Sequence, residues 1–184
     1  MPKRTVPAYV LSGIDIPLRL AEQFTATFRE AMAYPEFDID VPREQRLLLD
    51  HDVIVFQHPF FWYSTPAILK EWQDLVLQHG WAYGHEGHAV EGKVLLNAVS
   101  AGGSEDSYRK EGSNRHTVRQ LLAPIEQTAN LCGMVYLPPF VGHGNHAMSE
   151  DDIKDAAASY RRLIEALRDG ALEFGSVRSL SRIN

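Results

Sequence analysis

Val53-Ile54-Val55-Phe56 is an unbroken apolar run, rich in β-branched residues and with no polar position in alternation. A strand with one face in water alternates apolar and polar residues; a run that does not must be covered on both faces. That condition is met inside a parallel sheet with helices above and below. Lys93 to Ser100 (Lys-Val-Leu-Leu-Asn-Ala-Val-Ser) reads as a second buried strand, and Met134 to Leu137 as a third, stopped by Pro138-Pro139. Between the first two runs, Pro66 opens a predicted helix through Leu77 with Ile68, Leu69, Trp72, Leu75 and Val76 on one stripe, and Gly80 closes it.

The rest of the chain continues the alternation. Val6 to Leu11 is a candidate first strand, Leu18 to Phe24 suits a short helix, and Thr25 to Phe28 suits an edge strand. Pro42 sits where a helix over Arg43 to Asp50 would begin. Val118 to Leu131 is a predicted helix ended by Gly133, and Val141 to Met148 a loop carrying His143 and His146. Ser149, with acidic residues after it, caps a helix to about Arg168, and Gly170 to Asn184 is expected as a loose tail. Alternating strands and helices give an α/β fold of three layers, a parallel sheet with helices on both faces. Short strands with loops at their carboxyl ends suit the flavodoxin-like arrangement, in which ligands lie beyond those ends.

At 184 residues the chain fits one domain, 1–184. The net charge of −6 does not supply the basic surface that nucleic-acid binding needs, so no nucleic-acid partner is expected. The one cysteine, Cys132, excludes an intramolecular disulfide and reads as a small buried apolar residue. No stretch reaches the roughly 18 to 20 apolar residues of a membrane span, and no cleavage pattern follows Lys3 and Arg4. The expected location is therefore cytoplasmic.

Two loops fall at the ligand-binding end. His58-Pro59-Phe60-Phe61-Trp62-Tyr63-Ser64-Thr65 places four aromatics directly after a buried strand, which can cover a sheet edge or line a flat ring. Ser100-Ala101-Gly102-Gly103 lets backbone approach a ligand closely, or is a plain turn. Neither the dinucleotide G-x-G-x-x-G nor the phosphate-loop pattern is present. His85 with His88, and His143 with His146, lack the converging third and fourth ligands of a metal site, so no metal is expected.

The segment His58 to Trp72, together with Tyr34-Pro35-Glu36-Phe37-Asp38-Ile39-Asp40, His79-Gly80-Trp81-Ala82-Tyr83-Gly84 and Leu137-Pro138-Pro139-Phe140, resembles the flavodoxin-like NAD(P)H:quinone oxidoreductases, the DT-diaphorase family. The branch it resembles is the bacterial one that includes ancillary proteins of glutathione-regulated potassium-efflux systems. The resemblance implies a flavin, FMN in that branch and FAD in the animal enzymes. It implies hydride transfer from NAD(P)H to a quinone, and a homodimer with shared sites. It also implies an association with a potassium-efflux transporter at the inner face of the membrane. It puts Phe60, Phe61, Trp62 and Tyr63 against the flavin ring, Ser100, Ala101, Gly102 and Gly103 at its edge, and Tyr108 at the catalytic position. A family histidine after that tyrosine falls on Asn114, with His116 two residues on. The first 24 residues depart from the family: Ala-His-Pro and Ser-x-x-Asn, which hold the flavin phosphate, are replaced by Tyr9 to Arg19, with Asp15 in a position to repel phosphate.

Overall fold

The computed structural model describes residues 8–12, 26–30, 36–144 and 147–184. The strands are β1 (Ala8–Ser12), β2 (Ala26–Glu30), β3 (Val53–Pro59), β4 (Val94–Ala101), β5 (Val135–Tyr136) and β6 (Phe140–His143). The helices are α1 (Val41–Asp50), α2 (Ala67–Val76), α3 (Val118–Leu121), α4 (Ala123–Leu131), α5 (Glu150–Arg168) and α6 (Phe174–Val177). The sheet order is β2-β1-β3-β4-β5, with β6 also on β4, and every pairing is parallel. The chain leaves β1 for β2 on one side and returns to β3 on the other. That reversal makes the crevice beyond the carboxyl ends of these strands the expected ligand position. The helix expected over Leu18 to Phe24 lies outside the described residues.

The apolar runs divide between two cores. Ile54 and Phe56 of β3, with Leu95 and Val99 of β4, face α1, α2 and α4 through Leu48, Leu69, Trp72, Val76, Ile125 and Ala129. Val53 and Val55, with Val94, Leu96 and Ala98, face α5 through Leu163, Ile164 and Leu167. Side chains alternate across a strand, so two buried faces require the uninterrupted apolar sequence. Phe56 meets Trp72 edge to face at a centroid distance of 5.5 Å. Trp72 Nε1 donates to the buried Glu44 Oε2 at 2.9 Å, which ties α2 to α1.

Four expectations are corrected. The helix over Val118 to Leu131 is two: Pro124 has no N–H for a helical bond and sits in the first turn of α4, so the helix breaks at Leu122. Leu75 of the α2 stripe points outward, and its place in the core is taken by Gln73, whose amide bonds the Leu69 carbonyl at 3.1 Å. Part of the loop expected at Val141 to Met148 is strand: Pro138-Pro139 interrupts β5, and the chain rejoins β4 as β6 with Val99 opposite Val141. Residues 170–184 are not loose. Leu172, Phe174 and Val177 pack on the second core and Ile183 is 8% exposed within it. Arg119 donates to the carbonyls of Arg178 and Leu180.

Candidate functional site

β3 and β4 pair from Val53 opposite Val94 to Pro59 opposite Ser100, so both strands end at one level. The Phe60 N–H then donates to the Ser100 carbonyl at 2.8 Å, which fixes the aromatic loop to the glycine loop. Beyond Phe60 the chain makes a tight reversal, with Phe61 bridging Ser64 and the Ser64 N–H donating to the Phe61 carbonyl at 2.9 Å. Its two central residues are left-handed, Trp62 at φ 48° and Tyr63 at φ 63°. Turns of this kind normally take Asn or Gly. An aromatic residue held there costs roughly 1–2 kcal/mol, and such outliers concentrate at ligand sites. The reversal leaves Trp62 93% exposed and Phe61 and Tyr63 about half exposed. Among the described residues, the N–H groups of Trp62, Tyr63 and Gly103 donate to no backbone carbonyl.

After Ala101 the chain passes Gly102 and Gly103 into a 3₁₀ turn, Glu105–Tyr108, that carries Tyr108 back over the loop. The Tyr108 ring lies 5.9 Å from Phe60 and 5.5 Å from His143 at the end of β6. A Cβ on Gly103 would stand 3.1 Å from the Tyr108 ring, so the glycine is what lets that ring settle. Burial, then the neighbouring Tyr63 phenol, raises the pKa of Tyr108, which keeps its hydroxyl a donor at neutral pH.

These segments enclose an open cleft of about 370 Å³, lined by Pro59, Phe60, Phe61, Trp62, Tyr63, Ser100, Gly102, Gly103 and Tyr108. The volume lies within the roughly 300–1,000 Å³ of small-molecule sites. Of the ring-contact and catalytic positions expected from the resemblance, Ala101 alone does not line it: its side chain is buried in the first core. A flat ring fits this setting, with aromatic walls, Gly102 and Gly103 in the lining, and backbone donors from Trp62, Tyr63 and Gly103.

Beneath the cleft runs a buried polar chain absent from the sequence reading. Tyr136 OH donates to Asn97 Oδ1 at 3.0 Å, and Asn97 Nδ2 donates to His58 Nε2 at 3.0 Å. Nδ1 therefore carries the His58 proton, 3.0 Å from the Pro59 carbonyl. Burial lowers the His58 pKa to about 4 against an ordinary 6.5, while the Pro59 bond opposes this. The signal was available: Asn97 is the one polar residue within Val94 to Val99. His143, expected in a loop, ends β6, and among the described residues its buried Nδ1 has no hydrogen-bond partner. Burial and then the Arg182 charge lower its pKa, opposed by Glu105 and the Gly103 carbonyl.

His88 bonds Glu91 at 2.8 Å on the surface, and His116 is exposed. His146 lies outside the described residues, as do the phosphate-loop positions Gly13, Asp15 and Arg19. Among the described residues no three metal-ligating side chains converge. Cys132 is buried, which raises its pKa. No helix of the described residues is long and apolar enough to cross a membrane.

The sequence profile of the flavodoxin-like fold family matches residues 10–164. The chain belongs to this family. Its similarities within the flavodoxin-like proteins include the uncharacterized NAD(P)H oxidoreductase YrkL of Bacillus subtilis (strain 168), 48% identical over 135 residues, 73% of this chain and 76% of the relative. The glutathione-regulated potassium-efflux system ancillary protein KefF of Enterobacter sp. (strain 638) is 44% identical over 130 residues, 70% and 72% of the two chains. Among solved structures, general stress protein 14 from Treponema denticola in complex with FMN matches with a TM-score of 0.80 at 34% identity, over 88% of this chain and 99% of that one. An NADPH-quinone reductase from P. pentosaceus matches with a TM-score of 0.77 at 28% identity, over 86% and 96%.

Two outcomes follow from this geometry. Unfolded His58 takes up its proton near 6.5 and folded His58 only near 4. The unfolded chain therefore binds more protons between those values, and stability should fall by up to about 3 kcal/mol as pH drops through them. Denaturant titrations should show this slope, flattened in His58→Gln; an equal slope in the variant would refute it. Gly103→Val should weaken flavin binding more than Tyr108→Phe does. The valine presses on the Tyr108 ring and displaces it, whereas the lost hydroxyl removes one hydrogen bond of about 0.5–1.5 kcal/mol. Flavin titrations of the two variants decide this, and equal affinities would place the flavin away from Gly103.

Proposed function

We propose that the protein is a flavin-dependent NAD(P)H:quinone-type oxidoreductase with its active site in the cleft at the carboxyl ends of β3 and β4. The observation that carries this reading is that the cleft brings together residues from the aromatic loop, the glycine loop and Tyr108. The YrkL, FMN-complex and NADPH-quinone reductase similarities point the same way. A flavin bound there supplies two-electron hydride transfer between NAD(P)H and a quinone. The backbone of Trp62, Tyr63 and Gly103 would meet the polar edge of the ring, and Ser100 and Gly102 would border it. Phe60 fixes the loop through Ser100 and backs Tyr108. Tyr108, held protonated, donates to a carbonyl oxygen placed over the ring. In this reading nicotinamide and quinone take the same place beside the flavin ring and occupy it in turn. Steady-state rates of FMN-loaded protein, with both substrates varied, should give the parallel double-reciprocal lines of ping-pong kinetics. Intersecting lines would refute alternating occupancy.

The phosphate end of the site is weaker than in other members. The substituted residues 9–19 lack the family's histidine and Ser-x-x-Asn donors. Each charge-assisted hydrogen bond lost costs about 1.5–3 kcal/mol, so FMN affinity should fall about tenfold or more below a typical member's. Riboflavin should then bind nearly as well as FMN in side-by-side titrations. FMN binding about a hundredfold tighter than riboflavin would mean that Ser12, Gly13 or Arg19 rebuilds the site.

The exposed Phe61, Trp62 and Tyr63 are best accommodated by a second copy of the chain in an isologous homodimer. Light scattering at micromolar concentration should return the dimer mass, and a monomer mass would count against this. The KefF similarity supports a second reading: an ancillary regulator of a potassium-efflux transporter, held at the inner membrane face by that partner. Colourless protein that cannot be reconstituted with flavin would favour it; yellow protein favours the enzyme.

A further inference from the structure

The loop of residues 104–116 that carries Tyr108 is tied mostly to itself. Ser104 Oγ meets Ser107 Oγ at 3.0 Å, the Asn114 N–H donates to the Ser107 carbonyl at 3.0 Å, and Arg109 pairs with Asp106 at 3.0 Å and with Glu105 Oε1 at 3.3 Å. None of these bonds anchors the loop to the sheet. The other oxygen of Glu105 is engaged from far along the chain: Arg182 Nη1 lies 2.7 Å from Oε2.

The two residues after Arg182 are fastened to β6 and to the segment that leads into it. The Ile183 N–H donates to the Pro139 carbonyl at 3.0 Å, and its side chain enters the second core. Asn184 brackets Val141: its Oδ1 accepts from the Val141 N–H at 3.0 Å and its Nδ2 donates to the Val141 carbonyl at 2.8 Å. Val141 lies on β6, whose last residue, His143, stands 5.5 Å from the Tyr108 ring. Three consecutive residues thus bind the Tyr108 loop, the segment entering β6, and β6 itself.

We propose that residues 182–184 form a clasp and that Arg182 is a positioning residue, holding the Glu105–Tyr108 turn against β6 so that the Tyr108 hydroxyl stays over the cleft. Its role in turnover rests on the oxidoreductase reading; the clasp itself does not. Arg109 pairs only within the loop and cannot do this, because a local ion pair shapes the turn without fixing its place on the sheet. A cation at 182 is what the geometry requires, so a lysine retains part of the function and an alanine none.

Limited trypsin digestion of flavin-free protein tests the clasp. Cleavage after Arg109 and Lys110 reports how often the loop opens. Arg182→Ala should accelerate it about fivefold, the size expected for one partly exposed ion pair. Arg182→Lys should restore part of the protection, Asn184→Ala should weaken it, and Glu105→Gln combined with Arg182→Ala should be no faster than the faster single variant. Lys154→Ala, which removes an exposed cation on α5, should leave this cleavage unchanged. Unchanged cleavage in Arg182→Ala would overturn the clasp. In FMN-loaded protein, Arg182→Ala should lower kcat/KM for a benzoquinone by about threefold or more, with FMN affinity held within about twofold. Faster cleavage with unchanged benzoquinone kinetics would overturn the positioning role. Failure of the oxidoreductase reading would instead appear in the wild-type protein, as no turnover with FMN present.

Discussion

Parallel pairing of β3 with β4, buried on both faces, is the constraint on which the rest of the molecule depends. The register from Val53 opposite Val94 to Pro59 opposite Ser100 sets where both strands stop. Because they stop together, Phe60 can bond Ser100, and the aromatic and glycine loops open onto one cleft. A slip of one residue would turn every apolar side chain of β3 to the opposite face, and would separate Phe60 from its partner. The chain Tyr136–Asn97–His58 fixes the same register from within, since each link crosses from one strand to the next. Its buried polar atoms are satisfied in one alignment, which is how such networks specify a unique arrangement.

The cleft keeps strain and exposure that the cores do not tolerate. Left-handed Trp62 and Tyr63 cost folding energy, and their exposure returns little of it in the isolated chain. In the proposed reading, a bound ring and a second copy of the chain cover them. The surroundings of the Tyr108 turn are built differently, from contacts distant in sequence. His143 arrives on β6, and Arg182 reaches Glu105 from beyond α6.

What could be read from the sequence followed from this difference. The buried strands announce themselves as apolar runs, and the two loops that follow them inherit their position at one end of the sheet; the family resemblance then singled out Phe60 to Tyr63, Ser100, Gly102, Gly103 and Tyr108, all of which line one cleft. Residues whose place is set by long-range packing were not legible. Pro138-Pro139 signals an end to pairing, and nothing local shows that Phe140 to His143 resumes it. Residues 170–184 scatter apolar and polar positions without a periodicity, and their order comes from Leu172, Phe174, Val177 and Ile183 on the second core and from Ile183 and Asn184 meeting β6 and its approach. Ala101 follows the alternation of β4 and so turns into the core between two residues that line the cleft. Of Tyr9 to Arg19, the segment that stands in place of the family's phosphate-holding residues, positions 13–19 lie outside the described part of the chain.

The central claim is that the cleft between the β3 and β4 loops holds a flavin that cycles between NAD(P)H and a quinone. Anaerobic absorbance spectroscopy of the FMN-reconstituted protein tests it most directly. The account requires a protein-bound visible flavin band that bleaches on addition of NADH or NADPH and returns fully when a benzoquinone is added. A band that persists with both nucleotides, or FMN that remains free at saturating protein, would contradict it.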